Sequence, residues 1–228
     1  MLPVFVYLRK SDVVNRSLLV RRRVPPDAGP LRGTVIVLHG DNGALDDLMP
    51  LARSLSPHLE LIAAEAPRRV FNPQSVVHTW FSIQEPGRPE PVSFGDSLFQ
   101  LEQFVYDISE VRAENSVPVY LLGYDQGALM ALAICLVVPD YLSGVVAICG
   151  CLPQIALWPL PDRVLESLPV LLVYDPEDSE LPATLVETTE GELVRRGGVP
   201  TLSAVSGARE LGSIVVTEVK RWLGEKIK

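Results

Sequence analysis

Apolar positions in this chain alternate between short continuous runs and longer stretches with helical spacing. Thr34–Leu38 (TVIVL), Leu59–Ala64, Val145–Ile148 and Pro169–Val173 are unbroken apolar runs of strand length. Such runs fit strands buried on both faces of a parallel sheet. Between them lie helical patterns over Leu45–Leu55, Ser97–Arg112 and Leu181–Arg196, the last closed by Gly197-Gly198. Ser97-x-x-Gln100 reads as a capping box opening the second of these. Thr201–Val205 is expected as a last strand and Leu211–Leu223 as a terminal helix. Residues 3–8 and 17–24 read as two strands, a candidate hairpin. Glu65–Pro91 and Leu152–Leu168 read as irregular loops. Strands alternating with helices, with no internal repeat, predict an α/β layer fold with a mostly parallel central sheet flanked by helices. The whole chain, 1–228, reads as a single domain.

The chain is organised around Val117–Ala133, VPVYLLGYDQGALMALA, which predicts a buried strand, a tight turn and a buried helix. The turn Gly123-Tyr124-Asp125-Gln126-Gly127 has the frame of a nucleophile elbow, G-x-S-x-G, with aspartate in place of serine. A strand-to-helix turn this sharp excludes side chains beside the central residue and strains its backbone to positive φ. In a parallel sheet the functional crevice lies at the carboxyl ends of the strands. Asp41, Asp125, the 174–178 turn and the 206–210 turn should therefore converge.

Composition narrows the function. The chain is 47% apolar, 21% charged and carries a net charge of −8, which argues against nucleic acid and anionic membrane as partners. Arg21-Arg22-Arg23 reads as a solvated edge-strand face rather than a phosphate site. Three cysteines, Cys135, Cys149 and Cys151, sit in apolar surroundings and read as free buried thiols. No metal-ligand spacing and no cofactor motif is present. The longest apolar run, Ala128–Val138, is too short to span a bilayer. No signal peptide is evident, and a cytoplasmic location is the default expectation.

The run VIVLHGDNGALDDLMPLA, the Trp80-Phe81 pair, GYDQGA, Cys149-Gly150-Cys151-Leu152-Pro153, VLLVYDPEDSELP and SGARELGSIVVTEVKRWL resemble, in order and spacing, the phospholipase/carboxylesterase branch of the α/β-hydrolases. That branch includes the acyl-protein thioesterase-like enzymes. The likeness runs from Thr34 to the C-terminus and implies a Ser–Asp–His triad. Carried over by position, the serine falls on Asp125, the acid on Asp178 and the histidine on Arg209. The oxyanion-hole amides would be those of Asp41 and Gln126. The resemblance also suggests a homodimer and a small hydrophobic or ester-like ligand.

The chemistry does not follow the resemblance. Asp125 has no hydroxyl, and a guanidinium cannot serve as a base. The three histidines, His39, His58 and His78, all precede the elbow, whereas this fold orders its triad Ser…Asp…His. Some α/β-hydrolases use an aspartate nucleophile, but its ester must be cleared by water activated by the missing histidine. An Asp125–Arg209–Asp178 ion cluster filling the site is the expectation, since a buried unpaired carboxylate is costly. The leading reading is a catalytically degenerate hydrolase fold kept for binding or interaction. The alternatives are an active hydrolase with an Asp-based site and a cation site formed by Asp41, Asp125 and Asp178.

Other candidates carry two readings each. His39 is either the shoulder of the oxyanion loop or a packed turn histidine. Trp80 and Phe81, with His78, either line a pocket mouth or pack in the core. Trp158 reads as a cap on the same cleft or on an interface, and an open groove among these tryptophans and Phe81 would suit a hydrophobic ligand. Gly95-Asp96-Ser97-Leu98 spells a GDSL-hydrolase signature, but no Asp stands three residues before a histidine, and Ser97 reads as a helix N-cap.

Overall fold

A computed structural model of the chain describes residues 21–71, 76–155, 161 and 163–227. The 3–8 strand, most of the 17–24 strand and Trp158 lie outside the described residues. Seven strands form the main sheet: β1 (Arg21–Val24), β2 (Gly33–Leu38), β3 (Leu59–Ala64), β8 (Val119–Tyr124), β9 (Gly144–Ile148), β10 (Pro169–Tyr174) and β11 (Val199–Ala204). Their spatial order is β1-β3-β2-β8-β9-β10-β11. Only β1 runs antiparallel, pairing Arg23 with Ile62; every other neighbour is parallel. The predicted apolar runs are thus the interior strands, and β2, β3 and β9 are buried at every residue.

Among the described residues five helices accompany the sheet: α1 (Met49–Leu55), α2 (Pro91–Ala113), α3 (Gln126–Val137), α4 (Ala183–Arg195) and α5 (Ser213–Lys226). α1 packs on α5 and α2 on α3. Every residue of α3 from Gln126 to Leu136 is buried, as an all-round apolar helix requires. The buried apolar side chains form one continuous core.

Four expectations need correction. α2 begins at Pro91, not Ser97: the Glu90 carboxylate accepts the amides of Val92 and Ser93 at 2.9 and 2.7 Å, and Pro occupies the first turn. Ser97 lies inside the helix, donating to the Trp80 carbonyl and accepting from Arg68 Nη1 at 2.6 Å, so it is no N-cap. Glu65–Pro91 is not wholly irregular, because it holds two short antiparallel pairs. These are β4 (Arg68–Phe71) with β5 (Val76–Thr79), and β6 (Ile83–Glu85) with β7 (Arg88–Pro89). The first helix starts at Met49 because Pro50 favours the first turn and Leu45–Leu48 precede it as turns. Finally, Arg23 is no solvated charge: it pairs with buried Glu60, which Arg112 also binds and Thr34 caps at 3.2 Å. A buried carboxylate persists only when compensated in this way.

Candidate functional site

β8 runs directly into α3 through Asp125, whose backbone sits at φ 52°, ψ −117°. The two framing glycines are sterically required. A Cβ at Gly123 would strike the Gly127 carbonyl, and one at Gly127 would strike the carbonyls of Leu38 and His39. The elbow therefore presses against the end of β2, and that contact delivers the Asp41 loop. The Asp41 amide donates to Asp125 Oδ2 at 2.9 Å. The Asp41 carboxylate itself turns away, accepting from Thr79 Oγ1 at 2.5 Å and from Asn42 Nδ2 at 2.8 Å.

Two further loops close the site from β10 and β11. Arg209 lies on a single turn of 3-10 helix, Ala208–Glu210. Its Nε donates to Asp178 Oδ2 at 2.6 Å and its Nη1 to Asp125 Oδ1 at 3.3 Å. Glu180 adds a third carboxylate oxygen at 3.4 Å from Nη1. Burial opposes the guanidinium charge, but Asp178 and Asp125 outweigh it and raise the Arg209 pKa. The cation is thus more firmly held than a free arginine. The four predicted loop ends meet here, with Arg209 in contact with both Asp125 and Asp178.

The backbone of the Arg209 turn is held separately. Asp175 Oδ2 accepts the Gly207 amide at 2.7 Å, and Oδ1 accepts the Glu177 amide at 3.0 Å. These two amides hold the Asp175 carboxyl below its ordinary pKa. The Tyr124 hydroxyl donates to the Arg209 carbonyl at 3.1 Å. Glu180, Asp175 and Tyr124 were not singled out by sequence. Only the acidic density of Asp175-Pro176-Glu177-Asp178-Ser179-Glu180 hinted at the first two.

Gln126 does its visible work through its side chain. Oε1 accepts the amides of Trp80 and Phe81 at 2.9 and 3.3 Å, and Nε2 donates to the Phe81 carbonyl at 3.0 Å. This clamp seats the 79–81 segment on the elbow helix. Trp80, Phe81 and His39 are all buried, so they present no open apolar wall; core packing is their observed setting. Trp80 Nε1 donates to the His39 carbonyl at 2.8 Å. His39 itself bridges the backbone, with Nδ1 2.7 Å from the Gly40 carbonyl and Nε2 accepting the Ala66 amide at 3.0 Å. Burial lowers its pKa, matching a neutral ring with the proton on Nδ1. It is a packed turn histidine.

The three cysteines are free and buried, and burial pushes each thiol up to about 12. None is a nucleophile at neutral pH. Among the described residues no group of three or more His, Cys, Asp or Glu side chains is arranged to hold a metal ion. Arg209 bridges Asp125 and Asp178, two of the three carboxylates named for a cation site, while the Asp41 carboxylate is bonded to Thr79 and Asn42. No described helix is long and apolar enough to cross a membrane.

Known proteins share this architecture. The chain is 25% identical over 205 residues to NocK, an inferred esterase of Nocardia uniformis subsp. tsuyamanensis, covering 88% of this chain. It spans only 56% of that protein's length. Acyl-protein thioesterase 1 of Schizosaccharomyces pombe is 27% identical over 169 residues, 71% of this chain and 75% of that protein. The carboxylesterase structure from Mesorhizobium loti superposes with a TM-score of 0.76 at 20% identity, over 93% of this chain and 97% of that one. This last likeness speaks for the fold, an α/β-hydrolase. The phospholipase/carboxylesterase family model matches residues 21–206, and the chain belongs to that family.

Proposed function

We propose that this chain is a catalytically degenerate carboxylesterase-like protein, retained for binding or interaction. The observation that carries the reading is the Arg209 bridge, 2.6 Å to Asp178 and 3.3 Å to Asp125. Ester hydrolysis by this fold needs a nucleophilic hydroxyl, a base of near-neutral pKa and an unoccupied donor for the developing oxyanion. Asp125 supplies no hydroxyl. Arg209 cannot accept a proton at any pH the fold survives. The Asp41 amide is engaged by the Asp125 carboxylate.

An Asp-based hydrolase is the competing reading, favoured by the retained elbow backbone at Asp125. Its nucleophile would be a carboxylate tied to a guanidinium, and the position of the histidine that would clear an ester intermediate holds Arg209. Purified protein incubated with short-chain aryl esters separates the two. The proposal predicts no turnover above the buffer rate. Turnover that vanishes in Asp125→Ala would overturn it.

A further inference from the structure

Asp125 does more than replace a serine. One of its oxygens receives the Asp41 amide at 2.9 Å, and the other receives Arg209 Nη1 at 3.3 Å. A backbone N–H and a guanidinium N–H converging on the two oxygens of one carboxylate form a carboxylate receptor. The receptor's donors come from loops after β2 and β11, while the occupant comes from β8. Donors and occupant are therefore independent parts, and the occupant can be removed without touching the donors.

We propose that the former active site is a binding site for small monocarboxylates, occupied in cis by Asp125 and thereby closed to free acids. This rests on the reading of Asp125 as a non-nucleophilic occupant and adds the ligand class of the site. Three features support the assignment. Asp178 engages Arg209 through Nε alone, leaving Nη1 to the occupant. The Asp41 carboxylate is committed to Thr79 and Asn42, while its amide serves Asp125. Asp125 also stands on the elbow itself, whose φ 52°, ψ −117° backbone brings its carboxylate to these donors. Tethered this closely, it has an effective concentration that free acids do not match. Small acids, including those released by ester hydrolysis, are thus excluded from the native site. Among the described residues, Glu180 Oε2, 3.4 Å from Nη1, competes for the same donor.

The test vacates the site and refills it. Asp125→Gly removes a methylene and a carboxylate, the substance of one acetate ion, and glycine adopts positive φ without strain. Acetate should then bind between Arg209 and the Asp41 amide. For a dissociation constant on the order of 10 mM, 100 mM acetate raises the thermal midpoint of Asp125→Gly by about 3–6 °C over equal chloride. The rise saturates with concentration. It is absent in the unaltered chain and in Asp125→Gly/Arg209→Gln, and larger in Asp125→Gly/Glu180→Gln. A second readout, line broadening of ¹³C-acetate by NMR, follows the same order at temperatures where every variant is folded. A folded Asp125→Gly with no saturable response overturns the proposal. So does an equal response in the unaltered chain or in the Arg209→Gln background. Aryl-ester turnover by the unaltered chain would strike the degenerate-hydrolase reading instead, so the two claims fail by different measurements.

Discussion

Replacing Arg209 with glutamine keeps a polar side chain, shorter by two atoms, and removes its charge. Asp178, Asp125 and Glu180 all lose their cation, but unequally. The Asp178 side chain is 5% exposed and bonded at 2.6 Å. A charge-assisted hydrogen bond in that setting contributes about 1.5–3 kcal/mol. The Asp125 arm is longer, at 3.3 Å, and that side chain is 26% exposed. Solvent holds its share to about 0.5 kcal/mol. Glu180 is 73% exposed and adds nothing measurable. The expected loss is about 2–3.5 kcal/mol, a fall of about 4–14 °C in melting temperature for a chain of this size. Urea unfolding followed by tryptophan fluorescence measures it. A double-mutant cycle with Asp178→Asn should return a coupling of about 1–2 kcal/mol. A loss under about 0.5 kcal/mol, or strictly additive single variants, would refute the idea that this pair holds the site together.

Glycine substitutions should divide sharply by position. Gly127→Ala drives a methyl into the Leu38 and His39 carbonyls and should cost more than about 4 kcal/mol, seen as loss of the folded transition. Gly95→Ala in α2 meets open space and should stabilise by about 0.5–1 kcal/mol in the same urea titration. His39 gives a pH signature. Its folded pKa is lowered by burial, so below about pH 6.5 the unfolded chain takes up a proton that the folded one refuses. Stability should fall as pH drops from about 6.5 toward the folded pKa, with a slope of at most about 1.4 kcal/mol per unit from this residue. His39→Gln should flatten that slope even if it lowers stability throughout; an unchanged slope would assign the effect elsewhere.

Much of the sheet was readable from sequence because its strands are buried on both faces. Leu59–Ala64 matches β3 at both ends, and the runs at Thr34, Val145 and Pro169 match their strands within a residue. Periodicity failed where local signals competed. The start of α2 was displaced because Ser97-x-x-Gln100 imitates a cap, while the real cap is Glu90 before Pro91. β11 begins earlier than expected, at Val199-Pro200, because an edge strand tolerates proline on its unpaired side. At the site, Asp125 was legible from its glycine frame, and Asp178 and Arg209 from positions carried over from the family resemblance. Tyr124, Asp175 and Glu180 were not. Their bonds join loops from different strands, and no spacing in the chain records such meetings. His39 and Trp80 were ambiguous because a buried turn and a pocket mouth ask for the same residue types.

Under the proposed function the hydrolase frame survives while the Asp125–Arg209 pair stands in place of its catalytic chemistry. Asp125→Ser with Arg209→His restores a hydroxyl and a base at the two altered positions, leaving Asp178 beside the new imidazole. Intact-mass analysis after treatment with a serine-directed fluorophosphonate measures the consequence directly. The account predicts one adduct on the double variant, located at position 125, and none on the unaltered chain or on Asp125→Ser alone. A folded double variant that takes no adduct, or an unaltered chain that does, would contradict it.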